Sequence, residues 1–226
     1  MKEFKNPLFT VDSVLFSILD DEICVLLAKR AIEPFIGSWG LAGGFVDLDK
    51  DASTEITALR KLKEKTSIEP PFLEQLQTFS GSNRDPRGWS VTQAYWALMD
   101  RQKAEVNIST VDDVKWFKLS ELNDVPVAFD HRKIIDVALN RMRQKALYSF
   151  IPAYCLPDEF TIAHLLKTLE IIIGTKIQPR SIYRRIESSG ALEEVEGKSK
   201  SKGRSAKLYR VARGAEKILF DRNIGL

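Results

Sequence analysis

Apolar and polar positions follow two different periods along the chain, and each period predicts one kind of element. Short apolar runs bounded by polar turns predict strands in the first two thirds of the sequence. These strands are a hairpin within Thr10–Lys29, then Leu41–Val46, Leu76–Ser80, Thr92–Met99 and Val114–Lys118. Apolar side chains at helical spacing predict helices over Ala52–Thr66 and Asp130–Phe150. The mixture indicates an α/β domain over residues 1–150.

Shorter elements follow residue 150. Pro152 and Pro157 interrupt the helical pattern and predict a hinge between two domains. The elements predicted beyond it are helices at Thr161–Ile173 and Pro179–Ser188, strands at Leu192–Glu196 and Lys207–Val211, and a final short helix near Gly214–Asp221. Helix, turn, helix and hairpin is the order of a winged helix-turn-helix. We therefore predict a small α+β domain of this kind over residues 151–226.

Length and cysteine content narrow the class of protein. The 226 residues fit one larger and one smaller domain. The N-terminus has no apolar run followed by a cleavage site, and no later apolar stretch is long enough to span a bilayer. The two cysteines, Cys24 and Cys155, make neither a disulfide framework nor a metal-ligand motif. These features predict a cytoplasmic protein with no membrane partner.

The net charge of +3 conceals an uneven distribution of charge. Residues 1–175 carry 21 basic and 25 acidic side chains, whereas residues 176–226 carry 13 basic and 6 acidic ones. A basic segment of this kind favours a polyanionic partner such as nucleic acid.

The segment from Gly44 to Ile68 resembles the Nudix box. That box has glycine, five residues, glutamate, seven residues, then Arg-Glu-apolar-any-Glu-Glu-any-Gly-apolar. The matching residues are Gly44, Arg60, Leu62, Glu64 and Ile68. The first stretch is two residues longer here, and the residues that differ from the pattern are Ala52, Lys61, Lys65 and Ser67. The resemblance implies a Nudix fold, an α/β/α sandwich with a mixed sheet.

Lys61 and Lys65 stand where the box has glutamates that hold divalent metal in family hydrolases. Hard cations need several clustered oxygen ligands, which Glu64 alone does not provide. A like charge ~4 Å from a cation costs about 4 kcal/mol at an effective dielectric near 20. We therefore predict no bound metal, no cofactor, no catalytic residues and no hydrolase activity. The alternative is a solvated, lysine-rich helix on an unrelated α/β domain.

The cations that repel metal would attract a diphosphate anion, because guanidinium groups offer forked donors. The loop Arg84–Gly88 is similar to loops of Nudix proteins that handle ADP-ribose. Phe45 and Trp89 are candidates for stacking on adenine, although each could equally be ordinary packing. The candidate ADP-ribose ligands are Arg30, Gly43, Gly44, Phe45, Arg60, Glu64, Arg84, Arg87 and Trp89.

Basic residues of the second domain fall on the two elements that would face a DNA duplex. The candidates on the second helix are Arg180, Ser181, Tyr183, Arg184 and Arg185, and those on the hairpin are Lys198, Lys200, Lys202 and Arg204. Such side chains suit phosphates and guanine edges. A helical domain that docks on another protein is the alternative, and RNA is a second candidate partner.

The whole chain resembles the Nudix-related transcriptional regulators of NAD metabolism, the NrtR-type repressors. The similar segments are Phe129-Asp130-His131, Leu156–Thr161 and Tyr183-Arg184-Arg185. The resemblance implies a homodimer that binds a palindromic double-stranded operator and represses NAD biosynthesis or salvage genes. It also implies that ADP-ribose or a related NAD metabolite releases the DNA. An active Mg²⁺-dependent ADP-ribose pyrophosphatase and a nucleotide-responsive protein-interaction adaptor are the alternative functions.

Overall fold

The first domain is built on one mixed sheet. The structure, a computed structural model, describes residues 6–108, 113–198, 206–221 and 223–224. Its strands are β1 (Leu8–Leu19), β2 (Glu22–Lys29), β3 (Trp39–Gly40), β4 (Ala42–Phe45), β5 (Phe72–Gly81), β6 (Ser90–Leu98) and β7 (Val114–Lys118). The sheet order is β3-β2-β1-β6-β5, with β4 paired to β1 and β7 paired to β2. β1 runs parallel to β6 and antiparallel to β2 and β4.

Helices cover both faces of this sheet. Successive residues of β1 point to opposite sides, and the apolar residues on each side pack against different helices. Val14 and Phe16 pack in the cluster that contains Ile134 of α3 (His131–Tyr148). Leu15, between them, packs in a second cluster with Leu62 of α1 (Thr54–Thr66) and Ala104 of α2 (Arg101–Ile108). The first domain is therefore the expected α/β/α sandwich.

Helix α1 is capped at both ends by serine. The Ser53 hydroxyl accepts a hydrogen bond from the Ile56 N–H, which satisfies one of the free donors of the first turn. At the other end Ser67 has φ 57° and donates its N–H to the Lys63 carbonyl. This left-handed conformation explains why a glycine is expected there, since a Cβ atom in it costs roughly 1 kcal/mol.

The second domain has the winged-helix order of elements. It contains α4 (Ile162–Ile173), α5 (Pro179–Ser189), β8 (Leu192–Lys198) and β9 (Lys207–Val211). Phe160 pairs with Tyr209 through two backbone hydrogen bonds of 2.9 and 2.8 Å, which form an isolated β-bridge at the edge of the two-stranded wing. Gly174 and Gly190 end the two helices in the left-handed conformation.

The connection between the domains is packed rather than open. Ile151–Cys155 forms a buried 3₁₀-helix, and Pro152, expected to mark a hinge, is itself buried. One apolar cluster runs from Ile134 of α3 to Leu169 of α4 without a break. A boundary at residue 150 stays a prediction, and the two halves share a core.

The C-terminal segment ties the second domain to α3. The Phe220 N–H donates to the Tyr148 carbonyl at 2.7 Å, and the Ile224 N–H donates to the Leu147 carbonyl at 2.6 Å. The ring of Phe220 meets Phe150 edge to face at 4.7 Å. The last turns of α3 therefore hold this segment in place.

One sequence prediction is wrong, and two elements of the structure were not predicted. The short helix expected near Gly214–Asp221 is only a 3₁₀ turn at Ala215–Lys217. The helix Arg101–Ile108 was not predicted, because its polar sequence has no clear apolar face. The two-residue strand Trp39–Gly40 is too short to give an alternating pattern. Among the described residues, no helix combines the length and the apolar character needed to cross a membrane.

Candidate functional site: a cationic pocket and an arginine-bearing helix

A pocket of about 270 Å³ opens where β1, β4, α1, the 84–88 loop and the start of α3 meet. Its lining residues are Thr10, Asp12, Arg30, Ile32, Leu41, Gly43, Gly44, Phe45, Lys61, Lys65, Arg84, Asp85, Arg87, Phe129 and His131. Cationic side chains outnumber carboxylates in this lining, which makes the pocket attractive to an anion.

Arginine and phenylalanine side chains stack along one side of the pocket. The Arg30 guanidinium lies 4.6 Å from the centre of the Phe129 ring, and Arg87 lies 5.1 Å from Phe45 and 5.7 Å from Phe129. Arg87 also donates to both carboxylate oxygens of Asp85, which raises the pKa of Arg87. Phe129 has φ 54°, an unusual conformation for a bulky residue, and such conformations cluster at functional sites. This wall offers flat faces next to fixed positive charge.

Arg84 lines the pocket with a side chain that is only 8% exposed, and it joins the pocket to α3. Its guanidinium donates to both carboxylate oxygens of Asp130, at 2.9 and 3.1 Å, and to the Ser90 hydroxyl. Asp130 immediately precedes the first residue of α3. Because a bidentate pair fixes both groups, Arg84 positions the beginning of that helix.

His131 lies in the floor of the pocket and is neutral. Its Nδ1 accepts a hydrogen bond of 2.9 Å from the Leu41 N–H, which leaves the ring proton on Nε2. Burial is the main cause that lowers the pKa of His131, and the nearby Asp12 carboxylate only partly opposes it. The imidazole is therefore a fixed structural link between Leu41, the residue before β4, and α3.

The neutral His131 should make the free energy of unfolding depend on pH. The unfolded chain takes up a proton near the ordinary value of 6.5, and the folded chain resists it. Stability should therefore fall as the pH drops below about 6.5, by at most about 1.4 kcal/mol per pH unit. Urea unfolding of His131→Gln should show a flatter dependence between about pH 7.5 and 5.5. His164→Gln, which changes an exposed histidine, should keep the full slope; an unchanged slope in His131→Gln would contradict the assignment.

The carboxylate of the degenerate box, Glu64, is held by two cations. It accepts from Arg60 at 2.9 Å and from Lys61 at 2.8 Å, and these contacts lower its pKa. Arg60 also forms a bidentate pair with Asp51, which lowers the pKa of that carboxyl well below its usual range. Among the described residues, no three His, Cys, Asp or Glu side chains are grouped in a way that could hold a metal ion. Within the described part of the chain, the carboxylates of Glu64 and Asp51 are therefore both engaged by cations.

Lys65, like Lys61, lines the pocket from α1. Surrounding protein atoms lower the pKa of its ammonium group, although the side chain keeps an exposed surface. Within the described residues Lys65 has no ion pair, so its charge is available to a ligand. Lys61 lies beside Gly44, where a side chain on the glycine would press on the lysine stem at 3.1 Å.

The structure brings six of the nine candidate ligand residues into the pocket. Those that line it are Arg30, Gly43, Gly44, Phe45, Arg84 and Arg87. Arg60, Glu64 and Trp89 are not among the lining residues, and the first two are paired with each other. Sequence reasoning did not select the pocket residues Asp12 and Phe129 as ligands, since only the fold places them beside the box; Lys65 lies within the box but was not selected as a ligand either.

The second helix of the winged-helix domain has two different faces. Arg180, Tyr183, Arg184 and Glu187 recur at helical spacing, and all four are exposed. Within the described part of the chain, the guanidinium groups of Arg180 and Arg184 form no ion pair and no hydrogen bond. Ser181 is half-buried at the edge of this face.

Arg185 lies on the inner face, only 6% exposed. Its guanidinium donates to the Ser181 carbonyl and hydroxyl and to the Asn223 carbonyl, and it lies 5.3 Å from the Phe220 ring. Unlike its neighbour Arg184, it therefore holds the helix against the C-terminal segment instead of presenting its charge outward.

The wing is described only along its two strands. Lys200, Lys202 and Arg204, predicted at the tip, lie outside the described residues, and the side chain of Lys198 is also outside them. Along the strands Lys207 pairs with Glu194 and Arg210 pairs with Glu193.

Comparison with known families defines the class. The NUDIX domain family matches residues 9–138, and the NrtR DNA-binding winged helix domain family matches residues 152–211. The protein is a Nudix domain joined to a winged-helix domain, and the predicted fold class is confirmed.

Similar proteins define the family more closely. The chain is 36% identical over 210 residues to the ADPR-responsive transcriptional repressor NtrR of Acinetobacter baylyi, with 93% of this chain and 84% of that protein covered. The crystal structure of Shewanella oneidensis NrtR complexed with a 27mer DNA superposes with a TM-score of 0.92 at 44% identity, covering 96% of this chain and all of that one. The chain belongs to the NrtR family of transcriptional repressors, which confirms the predicted kinship.

Two further similarities concern the Nudix half. The cocrystal structure of the NUDIX domain of Shewanella oneidensis NrtR complexed with ADP ribose superposes with a TM-score of 0.57 at 50% identity, over 61% of this chain and 90% of that one. An ADP-ribose pyrophosphatase of Methanocaldococcus jannaschii is 33% identical over 133 residues, with 58% of this chain and 73% of that protein covered.

Proposed function

We propose that this protein is a cytoplasmic repressor of NAD biosynthesis or salvage genes, released from its operator by ADP-ribose or a related NAD metabolite. The proposal rests on two features that occur in the same chain. One is a cationic pocket in which the described residues offer no metal-binding group of carboxylates, and the other is a winged helix with arginines on its exposed face. We expect a homodimer on a palindromic double-stranded site, because the two-fold symmetry of a homodimer matches the two-fold symmetry of a palindrome.

The pocket's chemistry supports a nucleoside diphosphate sugar as ligand. Lys61, Lys65, Arg30 and Arg87 supply positive charge for a diphosphate, and the Phe45 face is 45% exposed at the opening. The related domain that binds ADP-ribose covers this same part of the fold at 50% identity.

The site supports binding without hydrolysis. Ammonium groups occupy the positions of two box glutamates, and Glu64 is neutralised by Arg60 and Lys61. Since these residues do not fit a divalent cation, we derive no metal-dependent step for this chain. The similarity to an ADP-ribose pyrophosphatase then reflects a shared fold and ligand.

Helix α3 provides a physical route between the pocket and the DNA-binding helix. Its first turn lies in the pocket, through the Asp130–Arg84 pair and the His131–Leu41 bond. Its last turn holds the C-terminal segment, whose Asn223 carbonyl accepts from Arg185 of α5. In this proposal α3 can take two positions relative to the pocket. A ligand that binds one of these positions more tightly than the other would shift the spacing of the two α5 helices in the dimer.

Fluorescence anisotropy with DNA from upstream of NAD-synthesis genes tests the proposal. The full chain should bind this DNA in a salt-sensitive manner, and added ADP-ribose should release it and be recovered intact. Rapid Mg²⁺-dependent cleavage of ADP-ribose without DNA binding would instead identify a pyrophosphatase. Ligand binding with no affinity for DNA would identify an interaction adaptor.

A further inference from the structure

Asp12 is a buried carboxylate that faces the cationic pocket. It lies in the middle of the central strand β1, and its side chain is only 9% exposed. One carboxylate oxygen, Oδ2, accepts a hydrogen bond of 2.8 Å from the Thr92 hydroxyl of β6. The other oxygen, Oδ1, accepts no hydrogen bond from the described residues, and Asp12 belongs to the pocket lining. A buried acceptor with an open position needs a donor, which a ligand can supply.

The surroundings hold this carboxylate rigidly. The sheet register places Asp12 opposite Gly43, and a Cβ atom on that glycine would lie 2.0 Å from Oδ1. Only glycine therefore fits opposite Asp12, because the carboxylate packs directly against the Gly43 backbone. Two basic groups lie near the carboxylate: His131 Nε2 is 3.7 Å from Oδ1, and Arg84, which donates to Asp130, also forms a longer ion pair of 4.0 Å with Oδ2.

We propose that Asp12 determines specificity by accepting a hydrogen bond from a free ribose hydroxyl of the ligand and by rejecting a phosphate on that ribose. The inference rests on the proposed function and divides the pocket into two parts. The lysines and arginines attract the diphosphate, whereas Asp12 repels any anion near it and accepts only a neutral donor. The chemical class selected is a nucleoside diphosphate sugar whose ribose hydroxyls are unmodified.

Calorimetric titration of the full chain with three probes tests this inference. The probes are ADP-ribose, ADP-ribose 2′-phosphate and ADP-ribose 1″-phosphate. The first has no extra phosphate, the second carries one on the adenosine ribose, and the third carries one on the terminal ribose. One of the phosphorylated probes should bind at least about tenfold more weakly than ADP-ribose. Equal binding of all three would overturn the inference while leaving the proposed function intact. Failure of ADP-ribose itself to bind would overturn both.

The variant Asp12→Asn separates charge from size. It keeps an oxygen acceptor and nearly the same volume, so most of the penalty against the phosphorylated probe should disappear if charge is the cause. The readout is the ratio of the affinities of one protein for ADP-ribose and for the phosphorylated probe. A general change in ligand affinity does not alter this ratio. Thr92→Val removes the supporting hydrogen bond but keeps the charge, and should keep the penalty. A penalty that survives in Asp12→Asn would assign the rejection to shape and overturn the role of Asp12.

Discussion

Replacing Lys65 by glutamate is expected to weaken ADP-ribose binding about a hundredfold in the absence of metal. The change reverses a charge that lines the pocket and has no ion pair among the described residues. Two charges ~5 Å apart interact by about 3 kcal/mol at an effective dielectric near 20, and reversing the charge changes this interaction twice over; because Lys65 is exposed, solvent screens about half of the change, which leaves roughly that factor. Calorimetric titration in the presence of EDTA measures the loss without interference from divalent ions.

Lys63→Glu is the matched control for this experiment. It makes the same change of net charge on the same helix, but Lys63 is 68% exposed, pairs with Glu69 and is absent from the pocket lining. Its effect on ADP-ribose affinity should be at most a few-fold, because exposed charges are screened by solvent and salt. Equal losses in the two variants, or no loss in Lys65→Glu, would contradict a direct role of Lys65 in holding the diphosphate.

The double variant Arg180→Ala, Arg184→Ala should lose about a hundredfold or more in operator affinity. Both guanidinium groups lie on the exposed face of α5, where a recognition helix meets the major groove. Each contact to a base or phosphate contributes about 1–3 kcal/mol. Anisotropy measured over a range of salt concentrations should also show a shallower salt dependence, since fewer counterions are released. ADP-ribose affinity of the same variant should not change.

Arg185→Ala is the comparison that tests the two faces of α5. Its guanidinium is buried and bonded to Ser181 and Asn223, so its loss should lower the free energy of unfolding by about 2–4 kcal/mol. The surface double variant should leave stability nearly unchanged. Thermal unfolding of both proteins measures the difference. A stable Arg185→Ala protein with a selective loss of DNA affinity would return Arg185 to the DNA-contacting set.

Periodicity and turn residues were sufficient to predict most of the elements. The hairpin within Thr10–Lys29 and the helix over Ala52–Thr66 follow from apolar spacing, because one face of each is buried. The helix Arg101–Ile108 was missed for the opposite reason, since its residues are mostly polar. The expected short helix at the C-terminus is replaced by a turn and a segment held by α3. Tertiary contacts decided that outcome over local propensity.

The candidate site was only partly predictable, because contacts within one element leave a local signal and contacts between elements do not. The substitutions Lys61 and Lys65 are visible against the Nudix box, and they led to the prediction of an anion pocket. Asp12 has no local signal, since its significance depends on the sheet register that places it against Gly43. Arg184 and Arg185 are adjacent and chemically identical in sequence, yet one is exposed and the other buried.

By itself, the sequence determined the class of each domain, the basic character of the second one and the loss of carboxylates from the box. These properties are carried by periodicity, by composition and by residues close together in the chain. Only the tertiary structure decided which arginine of α5 faces outward, which cation enters the pocket, and that a buried aspartate lies among those cations. The physical reason is that burial and distance between separate elements depend on packing, and packing sums interactions over the whole chain.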